Sequence, residues 1–117
     1  MKTISISIAK ESLDAPVEAL FGRARFFILA DPGTMEWEAL DNLSSLSANQ
    51  LVGVMAAQRL VRKNIQTVMT GKCDSKAFAE LKSAGVQVSL DTKGTVRQTL
   101  DSLSRGEVSP ATGPNVN

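Results

Sequence analysis

The sequence predicts a single α/β domain built on a five-stranded mixed sheet with helices on both faces. Near the amino terminus, residues 4–8 and 35–40 alternate apolar and polar side chains with a period of two, which is typical of strands. The rest alternates short β-rich runs with amphipathic segments at helical spacing, an order that favours parallel strands joined by helices. A chain of 117 residues, 43% of them hydrophobic, is long enough for one compact domain and too short for two.

Three strands are predicted in the first forty residues. Isoleucines alternate with serines over 4–8, which predicts a first strand with one polar face. After a loop or short helical turn over 10–24, the run 25–31 is rich in β-formers and predicts the second strand. The third strand is expected over 35–40. The turn at 31–34 reads Asp-Pro-Gly-Thr, in which proline presets φ and glycine is expected to supply a positive φ.

Helices and strands are then predicted in alternation. Ser47-x-x-Gln50 and Thr95-x-x-Gln98 match capping boxes, which mark helix starts. Glycines at the far ends of the last two helical segments indicate where those helices stop. The predicted elements are a helix over 48–63, a strand over 65–70, a helix over 75–84, a strand over 86–90 and a helix from 96 that stops at Gly106.

This order of elements predicts the topology of the sheet. The simplest arrangement is 3-2-1-4-5 with strand 2 antiparallel, which is ribonuclease H-like. In it, strands 1 and 4 lie side by side while their outgoing connections leave in opposite directions. Such a switch point is where open α/β sheets bind ligands. The domain is expected to span 1–106, and the remainder, 107–117, has the composition of a flexible tail.

Composition excludes several classes of function. The chain has no histidine, which excludes a His-based triad and any zinc site that needs imidazole. Its single cysteine, Cys73, cannot form an internal disulfide. A formal net charge of +1 argues against a surface built for nucleic acid, and strand 1 carries serines where a metal-dependent nuclease needs carboxylates. No apolar run approaches the roughly 18 residues of a membrane span, and no signal-peptide core is seen, so a cytoplasmic protein without membrane association is expected.

An anion site is predicted at the switch point. The loops after strands 1, 4 and 5 should meet there, and three helix starts should offer free N–H groups with a partial positive charge. Basic side chains would add full charges, and glycines would let the backbone approach a ligand closely. The residues concerned are Lys10, Arg23, Lys72 and Lys93 for charge, and Gly22, Gly71 and Gly94 for close approach.

Several of these residues also have a plainer interpretation. Glycine between a strand and a helix is commonly turn chemistry, and Asp74 is expected to be a helix cap. Cys73 is by default a small buried apolar residue. Alternatively, its place at a helix start beside Lys72 could lower its pKa and make it a soft metal ligand.

Four segments resemble the dinitrogenase iron–molybdenum cofactor biosynthesis family. They are L-F-G-R-A-R-F-F at 20–27, A-A-Q at 56–58, T-G-K-C-D-S-K-A-F-A-E-L-K-S-A-G-V-Q-V at 70–88 and G-T-V-R-Q-T-L at 94–100. That family includes NifX-type carriers, the carboxyl-terminal part of NifB-type proteins and small stand-alone members of the orange-protein type. The resemblance implies a ribonuclease H-like fold that binds an anionic metal–sulfur cluster. For the orange-protein type, the implied cargo is a molybdenum–copper sulfide cluster held without covalent attachment.

The family's motifs can be placed on this chain residue by residue. Its phenylalanine-glycine-arginine turn falls on Phe21, Gly22 and Arg23, its strand-4 threonine-glycine on Thr70 and Gly71, and its last helix start on Gly94 and Thr95. Lys10, Lys72 and Cys73 complete the expected cluster-binding set. Many relatives have a histidine where this chain has Leu20, and a glycine-rich entry to the first helix where it has 47–50. Since imidazole ligation is impossible here, the resemblance is strongest to the orange-protein type.

The expected function is noncovalent binding of a molybdenum–copper sulfide cluster for storage, assembly or delivery, without enzymatic turnover. Proteins that deliver or receive the cluster are the expected partners. One alternative is a carrier of iron–molybdenum cofactor or its precursors. Another, of a different class, is a regulatory or scaffolding module that binds a small anion.

Overall fold

The computed structural model describes residues 1–46, 51–107 and 110–115. Within these ranges it contains five strands, four α-helices and a 3-10 turn. The strands are β1 (Ile4–Ile8), β2 (Phe26–Ala30), β3 (Trp37–Asp41), β4 (Thr67–Met69) and β5 (Gln87–Ser89). The helical elements are the 3-10 turn (Phe21–Arg23), α1 (Leu43–Leu46), α2 (Val52–Arg62), α3 (Ser75–Ser83) and α4 (Val96–Ser104).

The five strands form one mixed sheet in the order β3-β2-β1-β4-β5. β2 is antiparallel to both β1 and β3, whereas β1–β4 and β4–β5 are parallel. This confirms the predicted order and the antiparallel second strand. Because β1 and β4 are parallel neighbours, their carboxyl ends lie at the same edge of the sheet.

The sheet is covered on both faces. On one face, Ile4, Ile6 and Ile8 pack with Val96 and Leu100 of α4. On the other face, residues of β2 and β4 pack with α2, α3 and the 3-10 turn; they include Phe27, Leu29 and Val68. Helices on both faces were predicted, and the two clusters confirm them.

The expectation of a polar face on β1 is wrong. Ser5 and Ser7 are fully buried, because β1 is the central strand and both of its faces are covered. Their hydroxyl oxygens have no hydrogen-bond partner within the described residues.

The predicted boundaries differ from the structure mainly in the first helical region. The helix predicted over 48–63 corresponds to α2, which begins at Val52, and the short α1 before it was not predicted. The capping box at 47–50 lies outside the described residues. At the 31–34 turn, Asp31 accepts hydrogen bonds from the N–H groups of Gly33 and Thr34 at 2.8 and 3.2 Å. The positive φ lies at Met35 (65°) rather than at Gly33, because the chain enters β3 at Trp37, two residues later than predicted.

The other strand and helix ends agree with prediction to within about two residues. None of the described helices has the length and apolar character needed to cross a bilayer.

Candidate functional site

Three loops meet beyond the carboxyl ends of β1, β4 and β5, as the topology predicts. They enclose an open cavity of about 330 Å³, which we call the rim cavity; its volume is within the range of small-molecule sites. Its lining is mostly apolar. The lining residues are Pro16, Val17 and Ala19 after β1, Gly71 and Lys72 after β4, and Asp91, Thr92, Lys93 and Gly94 after β5.

Backbone hydrogen bonds hold these loops against one another. The segment 16–21 runs between the other two loops and bonds to both. The Phe21 N–H donates to the Lys72 carbonyl at 2.9 Å, and the Lys72 N–H donates to the Ala19 carbonyl at 2.7 Å. On the opposite side, the Val17 N–H donates to the Gly94 carbonyl at 2.9 Å. The loop after β1 is therefore tied to each of the other two loops by main-chain hydrogen bonds.

Two lysines give the rim cavity a positive character. Lys72 and Lys93 are exposed, and neither forms an ion pair with any residue that the structure describes. Asp91, which also lines the cavity, contributes one negative charge. The balance of these three side chains favours an anionic ligand.

A second cavity, of about 320 Å³, lies on the α4 side of the β5 loop. It shares Asp91, Thr92 and Lys93 with the rim cavity, but its lining adds Glu107 and several hydroxyls, among them Ser89 and Ser102. With two carboxylates against one lysine, it suits an anion less well than the rim cavity does.

The structure brings only some of the sequence-predicted residues to this cavity. Gly71, Lys72, Lys93 and Gly94 line it, and Thr95 follows directly as the N-cap of α4. Phe21, Thr70 and Cys73 are buried in the protein. Lys10 and Arg23 are exposed, and Gly22 is half-buried; these three residues are not part of the lining.

Two of the glycines have packing roles within the protein. A Cβ at Gly22 would lie 2.9 Å from the Cα and N atoms of Gly53 in α2. A Cβ at Gly71 would lie 2.6 Å from the carbonyl oxygen of Ala19. Both contacts involve backbone atoms that have little room to move, so glycine is needed for the chain to pack against itself.

The expectation of free N–H groups at the start of α4 is wrong. The capping box confirms the predicted helix start: the Thr95 N–H donates to Gln98 Oε1, and the Gln98 N–H to Thr95 Oγ1. The next two N–H groups donate to carbonyls of the loop after β1, that of Val96 to Ala15 and that of Arg97 to Leu13. All four N–H groups that a helix start leaves unpaired are therefore satisfied within the protein.

Asp74 is the N-cap of α3, as predicted. Its carboxylate accepts a hydrogen bond from the Ala77 N–H at 2.8 Å. It also lies close to α2, since a Cβ at Gly53 would be 3.0 Å from Asp74 Oδ2. This helix start thus carries its own negative charge, which reduces its attraction for an external anion.

Cys73 is a buried apolar residue in this structure. Its side chain belongs to the core between the sheet and helices α2 and α3. Burial, with a further contribution from the Asp74 charge, raises the pKa of the Cys73 thiol to about 12. The alternative of a lowered pKa is therefore wrong, because the cost of desolvating the thiolate outweighs the stabilisation of its charge by the helix start and Lys72.

The Cys73 thiol is expected to react slowly with thiol reagents in the native protein. With a pKa of about 12, on the order of one thiol in 100,000 is ionised at pH 7. We expect the rate of reaction with a chromogenic disulfide to be at least about 100-fold lower in the native than in the urea-unfolded protein. Similar rates in the two states would contradict the burial of Cys73.

Sequence reasoning missed part of the cavity lining. Pro16, Val17 and Ala19 lie in a segment interpreted only as a loop, and nothing in its composition signals that it pairs with Thr95 and Lys72. Asp91 could have been included with the predicted loop after β5, because only Leu90 separates it from the end of that strand at the predicted switch point.

Protein side chains offer no preformed site for a bare metal ion in the described ranges. Among those residues, no three histidine, cysteine, aspartate or glutamate side chains converge. A metal bound here would have to bring most of its ligands with it.

Comparison with solved structures shows close relatives of this fold. The apo form of the orange protein from Desulfovibrio gigas is 36% identical, with a TM-score of 0.93 over 98% of this chain and 97% of that one. A proposed NifB protein from Thermotoga is 26% identical, with a TM-score of 0.75 over 94% of this chain and 93% of that one. A proposed dinitrogenase from Methanocaldococcus jannaschii, 12% identical with a TM-score of 0.68 over 94% of this chain and 96% of that one, shares the fold.

The comparison with curated proteins gives no match. The sequence profile described as dinitrogenase iron-molybdenum cofactor matches residues 2–106, nearly the whole described domain. The chain therefore belongs to the dinitrogenase iron–molybdenum cofactor family.

Proposed function

We propose that this protein binds an anionic molybdenum–copper sulfide cluster noncovalently, for storage, assembly or delivery. The observation that carries the proposal is the rim cavity, where Lys72 and Lys93 flank a mostly apolar depression between three loops. Similarity to the orange protein over 98% of the chain supports the same class of cargo.

The cavity suits a soft polyanion on physical grounds. A thiomolybdate-type cluster is multiply negative, and its surface is made of polarizable sulfur atoms. Apolar lining atoms favour contact with such a surface, while the lysine ammonium groups supply compensating charge. Because the metals bring their own sulfide ligands, the protein needs to supply few or none.

The proposed role requires no bond to be made or broken by the protein. Gly71, Lys72, Lys93 and Gly94 would hold the cargo, and residues that are buried or part-buried beside them would support the loops that carry them: Phe21, Gly22, Thr70, Cys73 and Thr95. We further propose that the sheet belongs to the ribonuclease H-like class, since its order and strand directions match that arrangement.

A second candidate cargo is iron–molybdenum cofactor or one of its precursors. It is favoured by the family profile, whose description names that cofactor. The absence of histidine from the chain disfavours it where imidazole would ligate the metal. The two cargoes differ in iron, which gives a direct test.

Reconstitution tests the proposal. The apo-protein is mixed with tetrathiomolybdate and copper and passed through a sizing column, with each metal alone and an iron–sulfur precursor as parallel samples. When both metals are supplied, we expect molybdenum and copper to elute with the protein in a fixed ratio, and we expect the protein fraction to absorb strongly in the visible range. With either metal alone, we expect neither result.

Other elution patterns would contradict the molybdenum–copper assignment. Retention of iron from the precursor sample alone would favour the nitrogenase-cofactor carrier. If no metal eluted with the protein, the regulatory or scaffolding alternative that binds a small anion would be favoured.

A further inference from the structure

The carboxyl-terminal segment 110–115 returns to the edge of the sheet. The Ala111 N–H donates to the Val88 carbonyl of β5 at 2.7 Å. From there the chain reaches Asn115, whose side-chain oxygen accepts a hydrogen bond from the Cys73 N–H at 2.9 Å. This segment, interpreted from composition as a flexible tail, thus contacts both β5 and the loop after β4.

The Asn115 amide joins two of the three loops that form the rim cavity. Its Nδ2 donates to the Gly71 carbonyl at 3.0 Å and, at 3.3 Å, to Asp91 Oδ1. The Gly71 carbonyl also accepts the Asp91 N–H at 2.7 Å, so a single oxygen links the two loops and Asn115. One side chain therefore bonds simultaneously to the loop after β4, at Gly71 and Cys73, and to the loop after β5, at Asp91.

Asn115 acts on the cavity from outside it. Two of the residues it contacts, Gly71 and Asp91, line the rim cavity, but Asn115 is not itself part of the lining. A side chain in this position leaves room for cargo, and it keeps the Asp91 carboxylate engaged in a hydrogen bond. Asp91 has a φ of 56°, a left-handed conformation that is unfavourable for most residues and needs support from its surroundings.

We propose that Asn115 is a positioning residue for the cargo site. Its amide fixes the spacing of the loops after β4 and β5, and this spacing sets how tightly the rim cavity holds an anionic metal–sulfide cluster. The inference rests on the proposed function and adds the carboxyl-terminal segment to it. Preorganised loops bind more tightly because less conformational freedom is lost on binding.

The test compares the 117-residue chain with its variants Asn115→Ala and Asn115→Asp and the control Thr112→Ala. Thr112 is an exposed residue of the same segment, and no side-chain hydrogen bond of Thr112 is found among the described residues. Each variant is titrated with tetrathiomolybdate and copper, followed by visible absorbance and visible circular dichroism. Amide hydrogen exchange of the metal-free proteins is measured separately.

Asn115→Ala is expected to bind about tenfold more weakly and to show a smaller visible circular dichroism signal at saturation. That signal arises only when an achiral cluster is held in a fixed asymmetric site, so a change in global stability alone would not reduce it. Asn115→Asp should weaken binding at least as much, because an ionised carboxylate cannot donate to the Gly71 carbonyl. The Cys73 amide should exchange faster in Asn115→Ala, and Thr112→Ala should match the wild type throughout.

The remaining outcomes overturn the inference in distinguishable ways. Wild-type affinity in Asn115→Ala would show that the loops keep their spacing without the amide, and tighter binding would show that Asn115 obstructs the cargo. If the wild-type protein binds no cluster, the proposed function and this inference both fail. Hydrogen exchange at Cys73 would then still report whether the Asn115 contact exists in solution.

Discussion

Reversing the charges of Lys72 and Lys93 together is expected to weaken binding of the molybdenum–copper cluster at least a hundredfold. Both side chains line the rim cavity and are free of ion pairs within the described part of the chain. A charge-assisted contact contributes about 1.5–3 kcal/mol, and about 1.4 kcal/mol corresponds to a factor of ten in affinity. Lys72→Glu/Lys93→Glu removes two such contacts and adds repulsion, which the visible titration of the apo-protein will measure.

A matched control separates the effect of charge at the site from the effect of net charge on the whole protein. Lys63 follows α2 and Lys82 lies in the last turn of α3, at the edge of the sheet opposite the cavity. Lys63→Glu/Lys82→Glu produces the same change in net charge and is expected to shift the affinity only severalfold, because charges beyond about 10 Å are largely screened at 0.1 M salt. Equal losses in the two double variants would contradict a localised anion site.

The fold could be predicted from the sequence because its signals are local and consistent with one another. Individual elements are specified by short local patterns, such as the alternating isoleucines, the 31–34 turn and the Thr95–Gln98 capping box. The order of the five strands is then restricted, because connections between parallel strands are right-handed. The region around the first helix was less predictable. There the short α1 was not predicted, and α2 begins at Val52, later than the start of the helix predicted over 48–63.

The candidate site was only partly predictable, because its properties depend on contacts between segments distant in sequence. No sequence pattern near these residues indicates that carbonyls of the loop after β1 accept the N–H groups of Val96 and Arg97. These hydrogen bonds occupy the helix start that was expected to bind the anion. Likewise, Gly71 looks the same in sequence whether it makes room for a ligand or for the Ala19 carbonyl. The charges of Lys72 and Lys93 were predictable, since the carboxyl ends of adjacent parallel strands must meet.

Phe21→Ala is expected to destabilise the protein by about 3–5 kcal/mol, the usual cost of removing a buried phenylalanine side chain. Phe21 is 1% exposed, and its ring centroid lies 5.3 Å from that of Phe27. It belongs to the core formed with α2 and α3, so truncation would leave a cavity there. Such a loss is a large part of the 5–15 kcal/mol that stabilises a typical domain, and urea unfolding will measure it.

The neighbouring Leu20 provides the control for this substitution. Leu20 is 43% exposed, so Leu20→Ala is expected to change the free energy of unfolding by no more than about 0.5 kcal/mol. Because the Phe21 side chain does not line the rim cavity, the folded fraction of Phe21→Ala should bind the cluster within about threefold of wild type at low temperature. A variant of unchanged stability that fails to bind would instead place the phenylalanine ring against the cargo, and the family's phenylalanine-glycine-arginine turn would then act directly in binding.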